Sequence, residues 1–307
     1  MTLLTSILRL WLGVFIQAIA PGFGRAIEVV AGFATNPGAT LTTMTASTNT
    51  SFTIRGTDAS KQAWMLSSWA FCATAGTLRF TSPRLHDQIQ GIRNRVTAAS
   101  VLPLTSGHIN GGYAQRLYAQ DTINAAISGG GAELDCGAML VGYDDLQGVA
   151  GRYIDYPTLK KNGINIVTAE VTVTAVATGN FGGAVAINST NDNLIANTDY
   201  AIIGGMTDTR GCAVGVTGVD LGNLRIGFPC EPAARNQTMN WFEQLALAFN
   251  QAYIPVINSA NKAATTIDVQ TNGAGGTYII DLQLVQLAPG VVPASATSNS
   301  ANAQPGS

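Results

Sequence analysis

From residue 164 onward the chain alternates between short apolar runs and clusters of Gly, Asn, Asp and Thr. Residues Val167, Ala169, Val171, Val173 and Ala175 are apolar, while Thr168, Glu170, Thr172 and Thr174 between them are polar. That period of two marks a half-buried strand. Eight strands are expected in this half, at 164–177, 183–188, 199–204, 212–217, 224–228, 253–257, 266–270 and 278–287. Turn-rich clusters at 188–193 and 272–276 separate them. Between the fifth and sixth strands, roughly over 236–252, Met239, Phe242, Leu245, Leu247 and Phe249 form the broad apolar face of a helix. Eight antiparallel-looking strands in about 125 residues suit a β-sandwich or a jelly roll.

The preceding part of the chain reads similarly, with strands expected at 27–33, 40–46, 51–55, 63–73, 77–81, 100–104, 116–123 and 133–141. Leu85, Ile89, Ile92 and Val96 stand at i, i+4, i+7 and i+11, which predicts a helix over 84–96, again after the fifth strand. Four landmarks recur in the same order about 146 residues apart. They are Asn49 to Gly56 with Asn197 to Gly204, and Gly76 to Pro83 with Gly222 to Pro229. The others are the prolines Pro103 and Pro255 in apolar runs, and the glycine pairs Gly130-Gly131 and Gly275-Gly276. That spacing is too long for a solenoid unit and has the size of a compact domain. The expectation is a duplicated β-domain.

At the N-terminus, 3–20 is almost entirely apolar, with Thr2, Thr5, Ser6, Arg9, Gly13 and Gln17 on one narrow stripe at helical spacing. Leu4, Leu8, Trp11, Leu12, Phe15 and Ile19 lie on the wide apolar face. An interfacial helix fits this pattern, lying against a bilayer or under a protein shell. Docking on its own domain is the plainer alternative. A signal peptide would place its positive charge ahead of the apolar stretch rather than at Arg9, and a spanning helix would carry Arg9 near its middle. At the other end, 289–307 is Pro, Ala, Ser and Asn with almost no large apolar side chain after Val292, a flexible tail by composition.

Composition narrows the function. Only 11% of the 307 residues are charged, with a formal net charge of −2, against about 25% in ordinary globular chains. Such a surface suits a protein largely covered by other copies. The longest basic run is Lys160-Lys161, so no specific nucleic-acid binding is expected. Cys72, Cys136, Cys212 and Cys230 form no CxxC pair and read as buried free thiols. The two histidines, His86 and His108, cannot supply the ligand clusters of cupin or copper-hydroxylase sites. No G-x-S-x-G elbow marks a nucleophile. Asp144-Asp145 would point to opposite faces of a strand or be solvated in a loop, and the Asn and Asp residues around Asp192 and Asp199 and the Gly129 to Gly131 run read as turns. No catalysis, cofactor or metal is expected.

Two tandem eight-stranded units, each with a helix after its fifth strand following Pro83 or Pro229, resemble the double jelly-roll major capsid proteins. These belong to tailless, membrane-containing bacteriophages and adenovirus-like viruses. The resemblance spans roughly 27–288 and rests on architecture and repeat rather than on a signature motif. It implies a mainly β fold with two tandem jelly rolls and a homotrimer whose six jelly rolls make a pseudo-hexagonal capsomer. It also implies an N-terminal amphipathic helix turned toward an internal membrane or the shell interior. Here the loops are short, without the inserted towers of some members. The division it implies is a helix at 1–24, a first jelly roll at 25–146, a connector at 147–163, a second jelly roll at 164–288 and a tail at 289–307. The implied partners are neighbouring capsomers, minor capsid or vertex proteins and an internal lipid membrane, in a virion assembled in the host cytoplasm. A secreted carbohydrate-binding or adhesin-like double β-sandwich is the alternative.

Overall fold

The computed structural model describes residues 25–292, apart from 48–51, 57–62, 86–88, 99–100, 102–103, 106–114, 131–133, 145, 147–148, 150, 189–192 and 274. In the N-terminal half the strands are β1 (Ala26–Thr35), β2 (Thr42–Thr43), β3 (Thr45–Ala46), β4 (Ala63–Phe71), β5 (Gly76–Thr81), β6 (Ile92–Val96), β7 (Leu104–Thr105), β8 (Gln115–Leu117), β9 (Asn124–Ser128) and β10 (Leu134–Tyr143). Next come β11 (Tyr153–Ile154) and helix α1 (Tyr156–Asn162), whose N-cap Asp155 accepts a hydrogen bond from the Thr158 amide. The C-terminal half runs through β12 (Gly163–Ala175), β13 (Phe181–Ala186), β14 (Asp199–Thr207), β15 (Ala213–Thr217) and β16 (Arg225–Pro229). Helices α2 (Arg235–Thr238) and α3 (Trp241–Phe249) follow, then β17 (Ile254–Asn258), β18 (Thr266–Gln270) and β19 (Gly276–Leu287).

These strands form four antiparallel sheets, a mainly β, jelly-roll-like architecture. The N-terminal half has β3-β1-β10-β4-β7, with β8 also on β4, and β2-β9-β5-β6. The C-terminal half has β11-β17-β14-β19-β12 and β13-β18-β15-β16. Set aside the short flanking strands β3, β8 and β11 and number the remaining eight of each half in chain order. Both halves then pair as 1-8-3-6 in one sheet and 2-7-4-5 in the other.

The sheets stack as four layers because the 1-8-3-6 sheet of the N-terminal half is apolar on both faces. Along β1, Ala26, Val30 and Ala34 face a core shared with Leu78, Phe80 and Ile127 of the 2-7-4-5 sheet of the same half. The alternate residues Ile27, Val29 and Ala31 belong to a core shared with Val214, Ile226 and Phe228 of the C-terminal half. A strand buried on both faces loses period-two alternation, as β1 and β10 do. Glycine sets the close approach between halves: a Cβ on Gly227 would stand 3.2 Å from Val29 Cγ1 and 2.6 Å from the Val214 carbonyl oxygen. Polar links cross the same seam. Gln270 Nε2 donates to the Gly32 carbonyl at 3.1 Å, and the Val101 amide donates to Glu231 Oε2 at 3.0 Å.

The eight strands expected in the C-terminal half all form. Its helix is broken at Asn240 into α2 and α3. Phe242, Leu245 and Phe249 are buried, but Leu247, expected on the apolar face, points outward at 52% exposure. Asn250 ends α3 in the left-handed conformation, φ 50.

The N-terminal half departs from expectation in several places. The helix over 84–96 does not form, because 92–96 is strand β6, paired with β5 from Phe80↔Ile92 to Gly76↔Val96. Gly91 at φ +61 turns the chain into that strand. Asn94 is buried and donates to the Ser68 carbonyl at 2.8 Å, while Ile89, assigned to the apolar stripe, is 77% exposed. Asn124–Ser128, which lies between the expected strands 116–123 and 133–141, is the interior strand β9. Of the expected strand at 51–55, Thr53 makes an isolated bridge to Thr122. The connector holds β11, paired to β17, and α1.

The internal repeat is only half right as aligned by sequence. β7 with β17 and β10 with β19 occupy equivalent places in the strand order, as the proline and glycine-pair landmarks expected. Gly76 to Pro83 lies mostly on β5, fourth in order, whereas Gly222 to Pro229 ends on β16, fifth in order. Asn197 to Gly204 leads into β14, whose counterpart is β4 rather than the chain around Asn49. Two of the four likenesses thus join non-equivalent segments.

Candidate assembly surfaces

The residues singled out for membrane or shell-interior contact, Leu4, Leu8, Trp11, Leu12, Phe15 and Ile19, lie outside the described residues, as do His86, His108, Asp145 and Asp192. The remaining candidates are tied into the fold. Asp144 Oδ2 accepts from Trp64 Nε1 at 2.9 Å. Asp199 is paired with Arg152 through two hydrogen bonds of 2.9 and 2.7 Å. Among the described residues no group of His, Cys, Asp and Glu is arranged to hold a metal, and no helix is long and apolar enough to cross a membrane.

Arg152 is the hub of a buried ion cluster. It bridges Asp199 at the start of β14 and Asp220 in the turn before β16, the latter at 3.7 Å, and it also donates to the Val292 carbonyl. Asp220 Oδ2 accepts from the Asn258 amide and from Asn261 Nδ2, each at 2.9 Å. The connector, three segments of the C-terminal half and the chain beyond β19 meet there. Two carboxylates around one guanidinium persist in so buried a place through charge pairing and the hydrogen bonds to Asp199 and Asp220 Oδ2, while Asp220 Oδ1 makes no hydrogen bond and faces Arg152 at 3.7 Å.

The seam between halves carries its own groups. Trp69 of β4 is fully buried, donates from Nε1 to the Cys212 carbonyl at 3.0 Å and meets Trp241 of α3 edge-to-face at 5.8 Å. Arg225 is paired to Asp268 at 2.7 Å and sits over the Phe181 ring at 4.5 Å. Burial raises the Asp268 carboxyl, and the guanidinium of Arg225 opposes that rise. A cavity of about 210 Å³ opens at the seam, lined by Glu28, Arg55, Thr217 and Arg225 among others. Both carboxylate oxygens of Glu28 accept from Arg55 Nε at 2.8 Å, and Oε2 also accepts from the Tyr143 hydroxyl at 3.1 Å. All four cysteines are free and buried. Burial pushes the Cys230 thiol up to about 12 and raises the Cys72 and Cys136 thiols well above the ordinary value, which leaves them protonated and unreactive.

Among the described residues, two outward sheet faces and the edge of β12 stand out. The β12 edge exposes Ile164 at 53% and Ile166 at 71%, an unpaired edge of the kind a neighbouring chain covers. On the outer face of the β12-β19 pair, Glu170 lies directly opposite Asp281 and Thr172 opposite the exposed Ile279. Burial raises the Asp281 carboxyl, and Glu170 and Asp208 beside it push the same way. On the outer face of the β5-β6 pair, at the other end of the stack, Arg79 lies directly opposite Arg93 and Thr77 opposite Arg95. None of these three arginines is in an ion pair among the described residues. The sequence held these charges in view, but only strand register shows which of them share a face.

No family model matches the chain, and no curated protein matches it. Among solved structures, the exported protein XepA of PBSX is similar over 84% of this chain and 86% of its own, at 8% identity and a TM-score of 0.25. The major capsid protein P2 of bacteriophage PM2 is similar over 87% of this chain and 98% of its own, at 8% identity and a TM-score of 0.22. A cupin 2 conserved barrel domain protein from Leptotrichia buccalis is similar over 87% and 93%, at 10% identity and a TM-score of 0.16. A viral capsid protein and a cupin thus both stand among the neighbours, and at these TM-scores neither bears on function.

Proposed function

We propose that this protein builds a viral shell: it is the major capsid protein of a tailless virus, made of two tandem eight-stranded jelly rolls and assembling as a homotrimer. The observation that carries the reading is the strand order 1-8-3-6 and 2-7-4-5, repeated in two halves that stack through a buried seam of apolar and hydrogen-bonded polar residues. Three such chains offer six similar wall units, the number a pseudo-hexagonal tile needs. The low charge content and the uncovered β12 edge suit a molecule whose sides are covered by neighbours. On this reading the jelly rolls occupy 25–146 and 164–288. The 1–24 helix turns Leu4, Leu8, Trp11, Leu12, Phe15 and Ile19 toward an internal membrane or the shell interior. Neighbouring capsomers and minor or vertex proteins are the partners, the virion is the location, and the work done is self-assembly rather than catalysis. Size-exclusion chromatography with light scattering on the full chain, with electron microscopy of the same sample, tests it. Trimers and shell fragments are expected, and a monomer that persists across concentrations would sink the proposal.

A further inference from the structure

The cavity of about 210 Å³ at the seam has polar walls drawn from both halves. The N-terminal half contributes Glu28 of β1 and Arg55. The C-terminal half contributes Thr217 at the end of β15, Arg225 at the start of β16 and Asn223 in the turn between them. Thr217 and Arg225 stand directly opposite in the β15-β16 register. Asn223 holds the left-handed conformation at φ 57 and is exposed at the rim. Glycine makes room for the long arm of Arg225: a Cβ on Gly215 would stand 2.6 Å from Arg225 Cδ and 2.4 Å from Asp268 Oδ1.

Charge is sorted by depth in this cavity. The Glu28 side chain is 4% exposed, against 43% for Arg55 and 26% for Arg225. The carboxylate therefore lies deep, and the two guanidiniums meet whatever enters. Glu28 already accepts from Arg55 Nε and from the Tyr143 hydroxyl. Asp268 takes Nε and Nη2 of Arg225, and Nη1 makes no hydrogen bond among the described residues. Thr217 Oγ1 has no partner either. No bond holds that hydroxyl in its present rotamer, and an acceptor in the cavity would draw it round about χ1. The unspent groups are thus donors.

We propose that this cavity binds a small monocarboxylate, whose oxygens accept from Arg225 Nη1 and Thr217 Oγ1 with the Asn223 amide at the rim. A dry cavity of about 150 Å³ accommodates benzene, so this one takes a carboxylate with a short carbon stem, such as propionate. With Asp268 behind Arg225, two guanidiniums face two carboxylates and the neighbourhood is neutral. One added negative charge is supported by the outward arginines, whereas the second charge of a phosphate dianion would repel the deep Glu28. The bound acid touches both halves and favours the stacked fold by mass action. The site lies within one folded chain, so the inference goes beyond the shell reading and does not rest on it.

Thermal melts of the full chain, with saturation-transfer NMR on the propionate methyl protons, test the site at constant ionic strength. Propionate is expected to raise the melting midpoint saturably, while chloride and the neutral isostere propionamide do not, and phosphate binds more weakly. Thr217→Val should weaken propionate binding about tenfold by removing a donor to a charged group. Without ligand it should leave the midpoint unchanged or raised, because the lost hydroxyl was unpaired. Asn223→Asp keeps a residue that tolerates the left-handed turn and adds a like charge, and should weaken binding about threefold or more at low salt. A capped peptide with one glutamate separates the sources: binding equal to propionate assigns the site to a protein side chain, and binding of propionate alone assigns it to a free acid. The proposal is overturned if chloride or propionamide gives the same rise, or if phosphate binds more tightly. It is equally overturned if both variants, shown folded by circular dichroism, respond like the wild type. None of these outcomes bears on the shell reading, which the association measurements decide.

Discussion

Trp69 offers the sharpest test of whether the two halves form one cooperative body. It belongs to β4 of the N-terminal half, yet its indole is fully buried in the core of the C-terminal half, bonded to the Cys212 carbonyl and packed on Trp241. Trp69→Ala removes that contact and opens a void at the seam, for which large-to-small replacement of a buried aromatic costs roughly 3–5 kcal/mol. Total stabilities are only about 5–15 kcal/mol, so the loss is a large share. At roughly 2–4 °C per kcal/mol for a chain of this size class, the midpoint should fall by about 6–20 °C. Trp69→Phe keeps most of the apolar volume and removes one of two donors to the Cys212 carbonyl, which retains the Cys230 amide at 3.3 Å, so it should cost only about 0.5–1.5 kcal/mol. Pairing Trp69→Ala with Trp241→Ala in a double-mutant cycle should give a coupling of about 0.5–1.5 kcal/mol for the edge-to-face contact. Far-UV circular dichroism against urea measures all three. The wild type should unfold in one transition, and Trp69→Ala should either shift it to lower urea or split it into two. If Trp69→Ala costs under about 1 kcal/mol without splitting the transition, the seam is not a shared core and the argument is refuted.

Three further outcomes follow from the same structure. Arg152→Ala leaves Asp199 and Asp220 buried without their cation and should cost roughly 3–5 kcal/mol, read from the urea midpoint. In the unassembled protein, Asp281→Asn should stabilise by about 0.2–1 kcal/mol at pH 7 by removing the repulsion from Glu170. The sign follows from the raised carboxyl: the folded chain holds that proton to higher pH than the unfolded chain. Stability from this group is therefore greatest in acid and falls as pH rises from the ordinary value of 3.8 through the raised one, a slope that Asp281→Asn should flatten in thermal melts across pH. Deleting 1–24 should leave the trimer intact while weakening attachment to shells or lipid vesicles in a flotation assay, whereas loss of the thermal transition would place that segment in the core.

The C-terminal half was legible in outline. Where a strand has one wet face, as β12 has, period-two alternation reports it directly, and Gly, Asn and Asp clusters mark the turns. The N-terminal half hid its elements for three physical reasons. Burial on both faces erased alternation in β1 and β10. β6 carries an inward Asn94 satisfied by a distant Ser68 carbonyl, so its apolar residues fitted a helical stripe better than a strand. β9, Asn-Ala-Ala-Ile-Ser, has a single large apolar residue, Ile127, too few to show a period. The assembly surfaces were not legible at all, because Glu170 and Asp281 are 111 positions apart in the chain and only strand register sets them opposite each other.

By itself, the sequence determined the mainly β class, the eight-strand count of the C-terminal half and the low charge content of 11%. Those properties depend on local pattern and composition, which act over a few residues. The tertiary structure decided the pairing order shared by both halves, the seam that Trp69 and Gly227 permit, and the gathering of opposite charges on opposite ends of the stack. These are set by contacts between residues far apart in the chain, whose partners are chosen only when whole sheets exclude water together.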